Sequence, residues 1–405
     1  MKCENGDFSV NFPLGFDVSE DDKELRRDIL LLLETIRLTT SKKESTLLKN
    51  RKQYEDTCFP FQAYMFILYD FYARGYYKER EVRYSVSKRG KTDWNRTIKT
   101  QKAYIQGTDV FYLDYVTKKN SIKNDEMITR VHAYCVYESF SKLGWLFSGR
   151  IPERPGTEYN EKRFTSVIVE KLSQTFNDKN RKLFQSMLAV VKYQGDNGAD
   201  KNYQYGTYSF EYVWEAMIDR VYGISAKGAY FPKTEWSTGD GVYGNSTLRP
   251  DTIMLYQGNV YVLDAKYYKY GVTHNMDDLP GSTSVHKQIT YGEYIAEQEK
   301  FREIHGENYR VYNAFLMPYN VKDHDWNTDH HPLWIGEATS DWKHNEKSYE
   351  KIHGILIDVK YLMQIHVRRD GNAIMQLAEE ISRHTESVPS AFMGERDGRT
   401  DERTA

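Results

Sequence analysis

Cysteine is scarce. Cys3, Cys58 and Cys135 are the only three in 405 residues, and they lie far apart with none of the short paired spacing of a zinc site. So few thiols exclude a disulfide-stapled scaffold and suit a reducing compartment. Long apolar runs are missing too: no run, that at residues 29–33 included, comes near the ~20 residues a membrane-crossing helix needs. Residues 1–10 are polar and show no signal-peptide pattern, so a soluble, cytoplasmic protein without a membrane partner is expected. There is no excess of charge, because 56 Lys+Arg stand against 58 Asp+Glu, a net −2. Nucleic-acid contact must therefore come from local clustering. A nucleotide-binding phosphate loop is absent as well. Gly90-Lys91-Thr92 has the right ending, but Ser85 stands where the leading glycine belongs.

What the chain does have is length for two or three domains, and 33 tyrosines suited to half-buried strands. A capping-box-like start at residues 19–22 opens a helix with Leu25, Ile29, Leu32, Leu33 and Ile36 on one face. Residues 61–72 predict an aromatic-rich second helix. From 78 to 102, nine Lys/Arg face three acids, with Tyr76, Tyr77, Tyr84, Trp94 and Tyr104 interleaved. Alternation through Val82, Tyr84 and Val86 and a turn at Arg89-Gly90 predict a basic β-ribbon. Its Lys88, Arg89 and Lys91 are candidates for DNA or partner contact, with a solvated hairpin as the plain alternative. A strand is expected at 110–116, and helices at 125–146 and, broken near Asn177-Asp178, at 162–193. His132 reads as a core or boundary histidine. The polar, glycine-bearing residues 194–205 make the best linker.

Beyond the linker, residues 206–222 predict a helix with Phe210, Val213, Trp214, Met217 and Val221 as its apolar stripe. Glu215, beside that stripe, is preferred over Glu211 as a carboxylate that could reach a site. Strands at 251–256 and 260–267 follow, joined by a turn at Gln257-Gly258-Asn259. A hairpin folded about Gln257-Gly258 places Asp251 opposite Asp264, and Lys266 leaves the sheet on the same face. Two close carboxylates repel unless a cation lies between them, and oxygen donors suit Mg²⁺. With a lysine alongside, the chemistry is phosphodiester hydrolysis; the plain alternative is three polar residues on a solvated strand. Past the hairpin, helix 285–301 carries Lys287 and Gln288, which would bind phosphate oxygens or cap the sheet edge. Strands at 309–318, 334–338 and 354–359 and a helix at 372–383 complete the pattern. His324, Asp325, Asp329, His330 and His331 superficially suggest zinc, but no helix or strand spacing gathers them, so a polar loop is expected.

In this order, helix 210–222, Arg249-Pro250-Asp251 and Asp264-Ala265-Lys266 resemble the PD-(D/E)xK nuclease superfamily, with Lys287-Gln288 similar to the helix motif of its RecB-like branch. Gly90–Ile98, the helix from 125, Tyr205-Gly206-Thr207, Leu279-Pro280-Gly281 and residues 287–291 extend the resemblance to LlaJI-type restriction endonucleases, relatives of the nuclease subunit of McrBC-type systems. The resemblance implies an α/β (α+β) protein. A mixed α/β N-terminal domain (1–195), a linker (196–205) and a restriction-endonuclease-like domain with a mixed central sheet flanked by helices (206–390) would be followed by a disordered tail (391–405). It implies a type II, Mg²⁺-dependent endonuclease cutting double-stranded DNA, with Mn²⁺ able to substitute. Asp251, Asp264, the Ala265 carbonyl and Glu215 would hold the ion, Lys266 would position water, and Arg249, Lys287 and Gln288 would meet phosphate. A separate McrB-like AAA GTPase and a cognate cytosine methyltransferase are the implied partners. The alternative is a non-catalytic DNA-binding subunit that stimulates a partner NTPase.

Overall fold

The computed structural model describes residues 1–4, 7–40, 59–123, 126–147, 151–197, 203–244, 247–322, 326, 331–368 and 371–386. The chain divides into two compact units, Met1–Ser9 with Gln53–Tyr205, and Val10–Lys52 with Gly206–Ala405. Around the expected linker, Asn197 still belongs to a helix and Tyr203–Gln204 is a strand paired with Lys2 and Cys3. Residues 198–202 and the tail at 391–405 lie outside the described residues.

In the first unit, helices Phe61–Arg74, Met127–Leu143, Glu161–Gln174 and Asp178–Asn197 bury Tyr64, Leu68, Val131, Cys135, Phe164, Phe184 and Met187. His132 is one of these core residues. Its Nδ1 accepts the Tyr77 N–H at 2.8 Å, and burial lowers its pKa to about 4, so the ring is neutral. The basic stretch is not a self-paired ribbon. Glu79–Val86 and Lys91–Thr92 both pair with Val116–Lys123, which lies between them. Two side chains explain the difference. Asp93 caps a short helix, Trp94–Thr100, by accepting the Arg96 N–H at 3.0 Å, which takes these residues out of the extended conformation. Buried Thr97 then accepts the Val116 N–H at 2.9 Å, drawing the later strand against the sheet. Lys91 on this sheet and Lys88 and Arg89 in the bend before it are exposed, and the Arg96 guanidinium lies 3.7 Å from the Tyr84 ring centroid.

The second unit contains α1 (Asp22–Thr40), α2 (Phe210–Tyr222), β1 (Thr252–Tyr256), β2 (Asn259–Ala265), α3 (Ser282–Glu297), β3 (Val311–Tyr319), β4 (Leu333–Ala338), β5 (Ile352–Asp358), α4 (Val359–Arg368) and α5 (Asn372–Glu386). Its mixed sheet has the order β1-β2-β3-β5-β4, with antiparallel pairs at both edges and β3 parallel to β2 and β5. All nine residues of β3 are buried, as a central parallel strand covered on both faces requires. On one face α3 lays Val285 and Ile289 on Phe315 and Ile352, and Tyr291 and Ile295 on Ile253, Val262 and Val311. A Cβ on Gly292 would come within 2.6 Å of the Asn313 amide, so this close helix–sheet approach needs glycine. On α2, buried Trp214 donates its Nε1–H to the Leu316 carbonyl at 3.1 Å. The expected N-terminal domain needs one correction, because α1 belongs with this second unit. Its apolar face (Ile29, Leu32, Leu33, Ile36) is buried against α2 and α4, and Asp28, 3% exposed, pairs with Lys360 at 2.7 Å. Sequence periodicity reveals such a face but not its partner.

Candidate active site

The site begins with a turn. Gln257 and Gly258 both take positive φ, 48° and 81°, which makes the two-residue loop whose twist suits tightly paired strands. The register that follows is Thr252↔Leu263 through Tyr256↔Asn259, and its next step outward sets Asp251 across from Asp264. The ladder stops there, and side chains take over. The Asp251 carboxylate accepts the Ala265 N–H at 3.1 Å. Lys266 continues the other edge, its N–H donating to the Leu316 carbonyl at 2.9 Å. Its ammonium lies 2.7 Å from the Asp264 carboxylate and 5.8 Å from the Phe315 ring centroid.

The electrostatics fit a pair that wants a cation. Asp251 is pushed up to about 8, first by burial, then by its hydrogen bond to Asp264 and the charges of Asp264 and Glu215, with the Ala265 N–H opposing. Near neutral pH the pair therefore retains a proton. Glu215 is half-buried on α2 and its charge is felt at Asp251, whereas Glu211 is exposed. Among the described residues no three His, Cys, Asp or Glu form a group able to hold a metal. Asp251 and Asp264 are the two acids that the hairpin itself brings together, with Glu215 near enough for its charge to be felt at Asp251. Two carboxylates with a backbone carbonyl at Ala265 form a hard oxygen donor set of the kind Mg²⁺ takes alongside its own waters.

The other expected residues divide. Lys287 is exposed on α3 but senses the pair: burial opposes its charge, while Tyr291, Asp264 and Asp251 outweigh that and raise its pKa. Arg249, exposed, precedes Asp251 by two residues and donates from Nε to Thr247 Oγ1 at 3.3 Å. Gln288 needs correction as a phosphate ligand. It is 1% exposed, and its Nε2 donates to the Val262 carbonyl at 2.7 Å, tying α3 to β2. Its neighbour faces the pair because one residue turns a helix by about 100°. Gln288→Ala should cost about 1–3 kcal/mol by losing this buried hydrogen bond between α3 and β2 together with the side chain's packing. A denaturant midpoint left unchanged would refute this. Lys88, Arg89 and Lys91 belong to the first unit.

Of the residues weighed for zinc, His324, Asp325, Asp329 and His330 lie outside the described residues. His331 is half-buried, its ring nearly parallel to that of Tyr319, with Nδ1 accepting the Asp358 N–H at 3.3 Å. The sequence reading missed Asp219 and Lys227. Lys227 Nζ donates to both Asp219 Oδ1 and the Asp251 carbonyl, each at 2.5 Å. Neither residue sits in a motif, and only tertiary structure brings them to the hairpin.

Comparison with known proteins adds two findings. The model of the LlaJI restriction endonuclease family matches residues 8–330. The structure is also similar to a half-complex from a tetradecameric assembly of Thermococcus gammatolerans McrB AAA+ hexamers with bound McrC. That likeness has 13% sequence identity and a TM-score of 0.33, and covers 89% of this chain and 77% of that one. No curated protein matches the chain. With its family model matched across most of its length, the chain belongs to the LlaJI restriction endonuclease family and is a nuclease of a restriction system.

Proposed function

We propose that this chain is the Mg²⁺-dependent subunit that hydrolyses phosphodiester bonds of double-stranded DNA, a type II enzyme of the PD-(D/E)xK kind. The observation that carries this is the meeting of Asp251, Asp264 and Lys266 at one end of the β1–β2 hairpin. Asp251, Asp264 and the Ala265 carbonyl would hold the ion, with Glu215 adding negative charge nearby. When bound, Mg²⁺ polarises a phosphoryl oxygen and makes water easier to deprotonate. Lys266, held in place by Asp264, orients the attacking water and meets the charge that builds on the phosphorus. Lys287 and Arg249 would take phosphate oxygens. Water attack with departure of the 3′ oxygen leaves a 5′-phosphate.

The implied partners are part of this reading. A separate McrB-like AAA GTPase would carry DNA recognition, and the exposed Lys88, Arg89 and Lys91 would dock it or the DNA. A cytosine methyltransferase would protect the host, and the system would work in the cytoplasm. No helix among the described residues is long and apolar enough to cross a membrane. The test is plasmid DNA incubated with the purified chain and Mg²⁺ or Mn²⁺, with and without GTP and the partner encoded beside it. Metal-dependent nicks or breaks are expected. A partner whose GTP hydrolysis speeds up on adding this chain, while DNA stays intact under every metal, would favour the non-catalytic subunit instead.

A further inference from the structure

The hairpin's catalytic end has a second attachment that the chemistry above does not use. Backbone pairing in the β1–β2 ladder runs from Tyr256 back to Thr252 and stops one residue short of Asp251. Pro250, just before, has no N–H to extend it. Lys227 fills the gap, bridging the Asp251 carbonyl and Asp219 Oδ1 at 2.5 Å each. Buried Thr252 donates its hydroxyl to the same Asp219 oxygen at 3.3 Å, and the Ile224 N–H reaches the Ile253 carbonyl at 2.9 Å. The segment from the end of α2 to Lys227 is thus laced along the outer edge of β1. Both charged partners are largely covered, with side chains 21% and 25% exposed, so the bridge is shielded from solvent screening.

We infer that Asp219 and Lys227 are positioning residues that fix the Asp251 peptide, and through it the direction of the first metal-binding carboxylate. This rests on the proposed hydrolytic role of Asp251. The bridge leaves the Asp251 side chain free to take the Ala265 N–H on one side and an ion on the other. Without it, the peptide at the end of the ladder has no protein donor on its carbonyl, and the carboxylate loses its fixed root.

The test reads the Ala265 amide, which reports the Asp251 carboxylate without needing metal or activity. In Lys227→Met, hydrogen exchange at Ala265 should quicken at least tenfold, while the Ile253 and Val262 amides and the melting temperature hold. The Mn²⁺ concentration that half-saturates the protein, by calorimetry, should rise about tenfold. The maximal cleavage rate at saturating metal should recover most of its value. Lys227→Arg, which keeps a cation, should restore Ala265 protection, and Asp219→Asn should fall between. Unchanged exchange at Ala265, or faster exchange along the whole sheet with a lower melting temperature, would overturn the assignment. A wild-type chain that binds Mn²⁺ and protects Ala265 but cuts no DNA would instead sink the hydrolytic reading.

Discussion

Asp251→Ala is expected to reduce metal-dependent DNA hydrolysis to background, a loss of at least about a hundredfold, since even outer partners of a metal site typically cost 10–100-fold. Lys266→Ala should lose a similar factor by another route, comparable to removing one preorganised donor, about 10²–10³. Ion binding separates the two. Asp251→Ala removes half of the carboxylate pair and should abolish Mn²⁺ binding by calorimetry. Lys266→Ala leaves both carboxylates and removes a competing cation 2.7 Å from Asp264, so Mn²⁺ should bind at least as tightly while cleavage fails. Neither change should unfold the protein, because both side chains are only partly buried at a strand end beyond the ladder. Full cleavage by either variant, or tight Mn²⁺ binding by Asp251→Ala, would mean that the reaction runs elsewhere.

The two assignments rest on a register that the sequence already contained. A two-residue turn at Gln257-Gly258 and period-two alternation leave little choice about which side chains face each other, so Asp251, Asp264 and Lys266 were legible from spacing. A strand was legible at 309–318 too, but its burial along all nine residues of β3 comes from its neighbours in the sheet and the helices over it. What spacing could not supply was contact between distant segments. Gln288 looked available to phosphate because a helix pattern does not say which neighbour lies beneath it, and the buried Val262 carbonyl claims its amide. The basic stretch read as a ribbon because its alternation is local, whereas Thr97 brings in a strand that begins at Val116. The association of α1 with the second unit and the Lys227 bridge share this character: each joins segments far apart in sequence.

The proton held by the acid pair makes a second large effect predictable. Burial and Asp264 raise Asp251 to about 8, well above the ~3.9 of an unfolded aspartate. An ion binding both carboxylates must expel that proton, so metal affinity should climb about tenfold per pH unit from pH 6 towards 8 and level off above it. Cleavage at limiting Mg²⁺ should follow the same rise, and saturating metal should move the rise to lower pH. The sign for stability is the reverse. A carboxyl whose pKa is raised by folding contributes stability that is fully present below the unfolded value and is lost as pH rises through about 8. The metal-free protein should therefore melt at progressively lower temperature between pH 5 and 9, and Mg²⁺ should oppose the decline by binding only the folded state. Asp264→Asn isolates the cause, since it removes the neighbouring charge and leaves the surroundings of Asp251 otherwise as they are. At pH 8 without metal the variant should melt a few degrees above the wild type, with the gap closing towards pH 5, while cleavage drops at least about a hundredfold. Such a gain in stability on losing function is what two like charges confined at a strand end demand. Metal affinity that stays flat from pH 6 to 9, with no difference in melting between variant and wild type at pH 8, would show that the pair is already ionised and that its strain is absent.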